Sequence, residues 1–119
     1  MRDYKKIDVW SHSMDLALEI YDITKDFPSD EKYGLTSQIR RAATSIPFNI
    51  AEGCGRDTKK DLVHFLHISE GSASELQCEI EFVYRLNFLS ESSYNYLNSK
   101  IVVIRRKLRL YKEQIEKDL

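Results

Sequence analysis

Apolar side chains recur along this chain at alternating steps of three and four, the spacing that gathers them on one face of an α-helix. In the first segment Trp10, Met14, Ala17, Tyr21 and Thr24 form one row, and Leu16, Ile20, Ile23 and Phe27 form a second beside it. That face is too wide for one partner helix, so a lone bundle is expected to leave the second row partly exposed and to favour self-association. The run FPSDEKYG closes the segment, because Pro28 forces the chain out of helical geometry. The second helix carries Leu35, Ile39, Ala42, Ile46 and Ile50, and is expected to stop at Gly53 and Gly55 in left-handed geometry. Thr58 caps the third, whose seam runs Leu62, Leu66, Ser69, Ala73, Leu76, Ile80, Val83 and Asn87. Its middle is thin at Ser69, Gly71, Ser72 and Ala73, which lets a neighbouring backbone approach. Ser90 caps the fourth, with a seam of Leu97, Ile101, Ile104, Leu108, Tyr111 and Ile115.

Four such helices joined by short connections predict an all-α fold, an antiparallel up-down-up-down four-helix bundle over a single domain, residues 1–119. Pro47 lacks the amide that would bond the Ala43 carbonyl, so helix two is expected to bend there. Charged residues make up 31% of the chain and apolar residues 42%, which suits a globular protein rather than a disordered or membrane one. No apolar run approaches the roughly 18 residues of a spanning helix. The opening MRDYKKIDVW has charge but no apolar core behind it, unlike a secretory signal. Cys54 and Cys78 have no ligand or redox spacing and read as free thiols, which together place the protein in the cytoplasm.

Charge changes the picture more by distribution than by sum. Eighteen basic and nineteen acidic residues leave a net charge of −1, against an overall electrostatic drive toward nucleic acid. Yet Asp61–Glu91 holds six acidic residues and one basic, whereas Lys100–Lys112 holds six basic and none acidic. Arg105, Arg109 and Lys112 form a stripe beside the fourth seam, with Arg106 adjacent. Arginine forks suit phosphate oxygens, and Arg56, Lys59 and Lys60 extend the candidate nucleic-acid-binding set. The competing reading is that acidic helix three pairs with basic helix four, within or between subunits. The two are separated by whether the helix-four arginines are free or tied to Glu75, Glu79 or Glu81. No aromatic interleaving for base stacking accompanies the stripe, because Tyr111 lies in the apolar seam.

The run RRAATSIPFNIAEGCGR, residues 40–56, invites a phosphate-loop reading. It has neither the spacing of a Walker loop nor a preceding strand. Arg41, Ser45, Asn49, Glu52 and Arg56 instead line one polar stripe of helix two. That stripe either holds a ligand or forms a structural network. In the network, Glu52 pairs with Arg56, and Arg40 or Arg41 reaches Glu75 and Glu79 on helix three. His64, His67 and Glu70 have helical ligand spacing, but nothing completes a tetrahedral set, so no metal site follows. No nucleophile–base constellation is evident, and the chain reads as a non-enzyme without cofactor.

The strings QIRRAATSIPFNIAEGCGR and HFLHISEGSASELQCEI carry a family resemblance. Matching residues include Gln38, Arg40, Arg41, Ala42, Ser45, Ile46, Pro47, Asn49, Ile50, Ala51, Glu52, Gly53, Gly55 and Arg56. They continue with Phe65, Leu66, Gly71, Ser72, Glu75 and Leu76, and DVWSHSMDLALEIYDITKDFP also fits. The chain resembles the small helical-bundle proteins of the 23S rRNA-intervening sequence family. These are similar to the accessory variability determinants of diversity-generating retroelements. The resemblance implies a homopentameric barrel, with RNA or DNA and a protein partner such as a reverse transcriptase as candidate partners. The alternative is an oligomeric scaffold that binds a protein and never touches nucleic acid.

Overall fold

The computed structural model describes residues 2–119. It contains α1 (Asp8–Thr24), α2 (Leu35–Cys54), α3 (Lys59–Arg85) and α4 (Glu91–Glu116), with short 3-10 turns at Tyr4–Lys6 and Ser29–Glu31. The helices form an antiparallel four-helix bundle in which α2 packs on α1 and α3, α3 packs on α4, and α1 meets α4 more sparsely. At 1.5 Å per residue, α3 spans about 40 Å. That length accounts for the 45 Å long axis of a body 24 and 20 Å across.

The caps anticipated for the two long helices are in place. The Thr58 Oγ1 accepts from the Asp61 amide at 3.1 Å and the Ser90 Oγ from the Ser93 amide at 3.0 Å. The seams of α3 and α4 meet in the core through Leu66, Leu76, Ile80, Leu97, Ile101, Ile104 and Leu108, all buried. Helix α2 runs through Pro47 to Cys54, with Pro47 itself buried. Ser69 fills the thin middle of α3 and donates its hydroxyl to the Ile46 carbonyl at 2.9 Å.

Three local expectations are corrected. The second row of α1 is largely buried: Leu16, Ile20 and Phe27 lie in the core of a single chain with Ile23 partly covered, alongside Ala17 and Thr24 of the first row, whereas Tyr21 is exposed. The width of the α1 face is therefore absorbed by α2, α4 and the turn before α4, where Phe88 meets Phe27 at 5.5 Å. No glycine adopts left-handed geometry, and Gly55 closes α2 with φ −82°. Gly53 serves contact instead, since a Cβ there would lie 2.9 Å from Phe65 Cβ and 3.0 Å from Leu62 Cδ1. Asn87 does not continue the α3 seam; it ends the helix with φ 66°. The Asn87 amide donates to the Tyr84 carbonyl and the Phe88 amide to the Val83 carbonyl, both at 2.9 Å, a Schellman closure that Asn tolerates.

Candidate nucleic-acid interface

On α4, steps of four and three set Arg105, Arg109 and Lys112 along one edge of the core seam, with Arg106 further out. Arg105 is half-buried and donates through Nη1 to the Gln77 Oε1 at 2.5 Å. Arg106 and Arg109 are exposed, and neither forms an ion pair among the described residues. The three arginines, Gln77 and Val102 line a shallow depression of about 290 Å³ that no carboxylate faces. Lys112 stands apart, because its ammonium pairs with Glu70 at 3.1 Å in a partly buried bridge.

Among the described residues, Glu70 is thus the α3 carboxylate that pairs with a basic residue of α4, and Glu81 is engaged by other groups. Tyr94 donates to Glu81 at 2.7 Å and Arg85 pairs with it at 2.8 Å. Those two contacts hold the Glu81 carboxyl below its usual range. None of the α4 arginines makes a hydrogen bond or ion pair with Glu75, Glu79 or Glu81. The remaining candidate cations cluster at the α2–α3 corner. Arg56 pairs with Glu52 at 2.6 Å and lies 4.8 Å from the Phe65 ring centroid. Lys59 approaches Asp118 at 3.8 Å, and Lys60 is exposed. The pairs Gln77–Arg105, Glu70–Lys112 and Lys59–Asp118 report the antiparallel register of α3 and α4. On that register Lys60 lies roughly 20 Å along the bundle from Arg109, so the two groups are separate.

The polar stripe of α2 divides between two neighbours. Ser45 and Ser72 share a hydrogen bond at 2.8 Å, and the Asn49 amide donates to the Ser45 carbonyl and hydroxyl at 2.8 and 2.9 Å. Arg40, expected to reach α3, turns to α1 instead. Its Nε donates to the Thr24 Oγ1 at 2.8 Å and its Nη2 to the Tyr21 carbonyl at 3.2 Å. Arg41 and Glu75 are exposed at the α2–α3 edge beside Glu79, which is 7% exposed. Neither Glu79 oxygen makes a well-formed hydrogen bond, although the Glu75 carboxyl, the Gln38 amide and the Arg41 charge lie near enough to act on it. Burial first, and Glu75 second, push the Glu79 carboxyl up to about 7, against the opposing pull of Gln38 and Arg41. Of the histidines, His64 and His67 are exposed, and His64 stands edge-on to Phe65 at 5.3 Å. Sequence reasoning missed Gln77 and Tyr94, because their positions gain meaning only from the α3–α4 register.

Residues 5–110 match the family model described as the 23S rRNA-intervening sequence protein. The chain belongs to that family. A similar fold is found in a protein of unknown function from the S23 ribosomal protein family of Bacteroides thetaiotaomicron. The TM-score is 0.82 at 24% identity, with 88% of this chain and 95% of that chain covered. At that identity the likeness shows the fold of this 23S rRNA-intervening sequence protein. No curated protein matches it. No described helix is long and apolar enough to cross a membrane.

Proposed function

We propose that this 23S rRNA-intervening sequence protein is a non-enzymatic accessory factor that binds RNA or DNA phosphates through α4. The observation that carries this reading is the state of Arg105, Arg106 and Arg109. Two carry no ion pair among the described residues, the third is anchored on a neutral amide, and no carboxylate lines their depression. Guanidinium forks match phosphate oxygens and release counterions on contact, and of the three only Arg105 is held in place beforehand. Three arginines bind weakly alone, so the reading includes a homo-oligomer, pentameric by family resemblance, that repeats the stripe and multiplies it by avidity. Leu18, Phe48, Phe82 and Leu110, each more than half exposed, supply apolar surface for such an assembly.

The test is fluorescence anisotropy of a labelled RNA hairpin and a DNA duplex across a salt series. It is run on the wild type and on a variant with Arg105, Arg106 and Arg109 changed to alanine, with light scattering to count subunits. Each phosphate contact adds roughly 0.9 to the log–log salt slope on duplex DNA, so an oligomeric site gives a slope of several units that the variant loses. No binding at low salt by a folded oligomer overturns the reading in favour of a protein-binding scaffold.

A further inference from the structure

At the other side of the bundle, where the α1–α2 connection meets the first turns of α2, lies a depression of about 440 Å³. Tyr21, Lys32, Tyr33, Thr36, Arg40 and Arg41 are among its lining residues, and no acidic side chain is. An adjoining depression of about 250 Å³ shares Lys32, Thr36 and Arg40. Three cations thus line it and no carboxylate does, although Glu31 lies beside the Gly34 cap and Arg41 also borders Glu75 and Glu79 at the α2–α3 edge.

Several independent features of this corner suit one ligand chemistry. Helix α2 is 20 residues long, and its cap position is Gly34, which has no side chain to bond the first-turn amides of Leu35, Thr36 and Ser37. Those amides and the helix dipole favour an anion there, beside the Glu31 carboxylate that shares this end of the helix. Thr36 is only 6% exposed, and its hydroxyl makes no hydrogen bond among the described residues, yet it lines both depressions. Arg40 is already immobilised: Thr24 and Tyr21 take one donor each from Nε and Nη2, and its guanidinium lies 4.5 Å from the Tyr21 ring centroid. Its Nη1 donors remain free in a fork whose ordering cost is already met. Tyr33 is 89% exposed, an uncommon state for so large an aromatic, with the Lys32 ammonium 5.5 Å from its ring centroid.

We propose that this α1–α2 corner is a binding site for a nucleoside phosphate. Lys32, Arg40, Arg41, the Thr36 hydroxyl and the free α2 amides hold the phosphate, and Tyr33 stacks on the base. The combination of cations with an exposed aromatic is what single-stranded nucleic acid and free nucleotides both need, and the α4 stripe lacks it. A further basic depression, at the α2–α3 corner, carries Asp57 in its lining, and its Arg56 and Lys59 are paired with Glu52 and Asp118. This inference does not rest on the α4 reading, since the site lies on other helices.

The test is an amide NMR titration of the full chain with AMP, run beside adenosine, inorganic phosphate and a 5′-phosphorylated single-stranded RNA pentamer. AMP is expected to shift the Leu35, Thr36 and Ser37 amides saturably, with adenosine and phosphate binding about tenfold more weakly or less, because each lacks one half of the contacts. The exposed substitutions Tyr33→Ala and Lys32→Ala are each expected to weaken AMP about tenfold while leaving the spectrum folded. Tighter binding of the pentamer than of AMP identifies a strand end as the source, and equal binding identifies a free nucleotide. The proposal is overturned if AMP produces no shift at these amides at millimolar concentration, if phosphate alone matches AMP, or if Tyr33→Ala changes nothing. The Arg105, Arg106 and Arg109 triple alanine variant should bind AMP as the wild type does; loss there assigns the signal to α4 and rejects this site.

Discussion

Arg105 donates to the amide oxygen of Gln77 at 2.5 Å, so its guanidinium is fixed to α3 without being neutralised. The substitution Gln77→Glu keeps an acceptor for Arg105 and adds a carboxylate under the stripe, while removing the Nε2 donor that now bonds the Asn98 Oδ1 at 3.1 Å. Duplex DNA affinity should fall several-fold, and the log–log salt slope should drop by roughly 0.9 per copy of the site engaged. Anisotropy across a salt series checks this. An unchanged slope from a folded variant would remove Arg105 from the interface.

Gly53 and Gly71 occupy opposite circumstances within the α2–α3 pair. A Cβ at Gly53 meets Phe65 and Leu62 at 2.9 and 3.0 Å, and one at Gly71 meets nothing within 4 Å. Overpacking costs about 1–3 kcal/mol, which exceeds the roughly 1 kcal/mol that alanine contributes over glycine in a helix. Gly53→Ala should therefore lower the urea midpoint, and Gly71→Ala should raise it by the equivalent of about 0.5–1 kcal/mol. Midpoints that move in the same direction would refute the packing account of Gly53.

Glu79 makes stability fall with rising pH. Its folded carboxyl titrates at about 7 and its unfolded carboxyl at about 4.5, so between those values the folded state holds more protons. Stability then declines as pH rises through that window, by an amount on the order of 3 kcal/mol, and levels off above the folded value. The facing groups are Glu75 on α3 and Gln38 and Arg41 on α2, and Glu75 adds to the effect. Glu79→Gln should flatten the decline and raise the melting temperature at pH 8 more than at pH 5. Parallel melting curves for variant and wild type across that range would dismiss Glu79 as its source.

Arg40 clasps α1 to α2. Its Nε bonds the Thr24 hydroxyl, which itself donates to the Ile20 carbonyl at 2.7 Å. Arg40→Ala removes this chain of bonds together with the stacking on Tyr21, and should destabilise the fold by about 1–3 kcal/mol in urea. Arg40→Lys should recover less than half of that, because an ammonium has neither the fork nor the planar face. Full recovery by lysine would mean that charge alone matters there.

The seams of α3 and α4, the caps Thr58 and Ser90 and the all-α bundle were legible because periodicity and capping are local properties of the chain. Helix α1 was misjudged at its second row, where Leu16, Ile20 and Phe27 are as apolar as an interface would be. Only the placement of α2, α4 and Phe88 shows that they are covered within one chain. Asn87 kept the helical step of the seam yet ends the helix, since its tolerance of positive φ outweighed its register.

By itself the sequence determined that four amphipathic helices exist, where two of them begin, and that basic and acidic residues segregate between α4 and α3. Tertiary structure decided which charges are spent. It paired Lys112 with Glu70, gave Glu81 to Tyr94 and Arg85, turned Arg40 toward Thr24 and left Arg106 and Arg109 without an ion pair among the described residues. The physical reason is range. Helix formation and amphipathicity are set by neighbours three and four residues away, whereas an ion pair or hydrogen bond requires angstrom-level approach between segments, which register and crossing geometry alone establish.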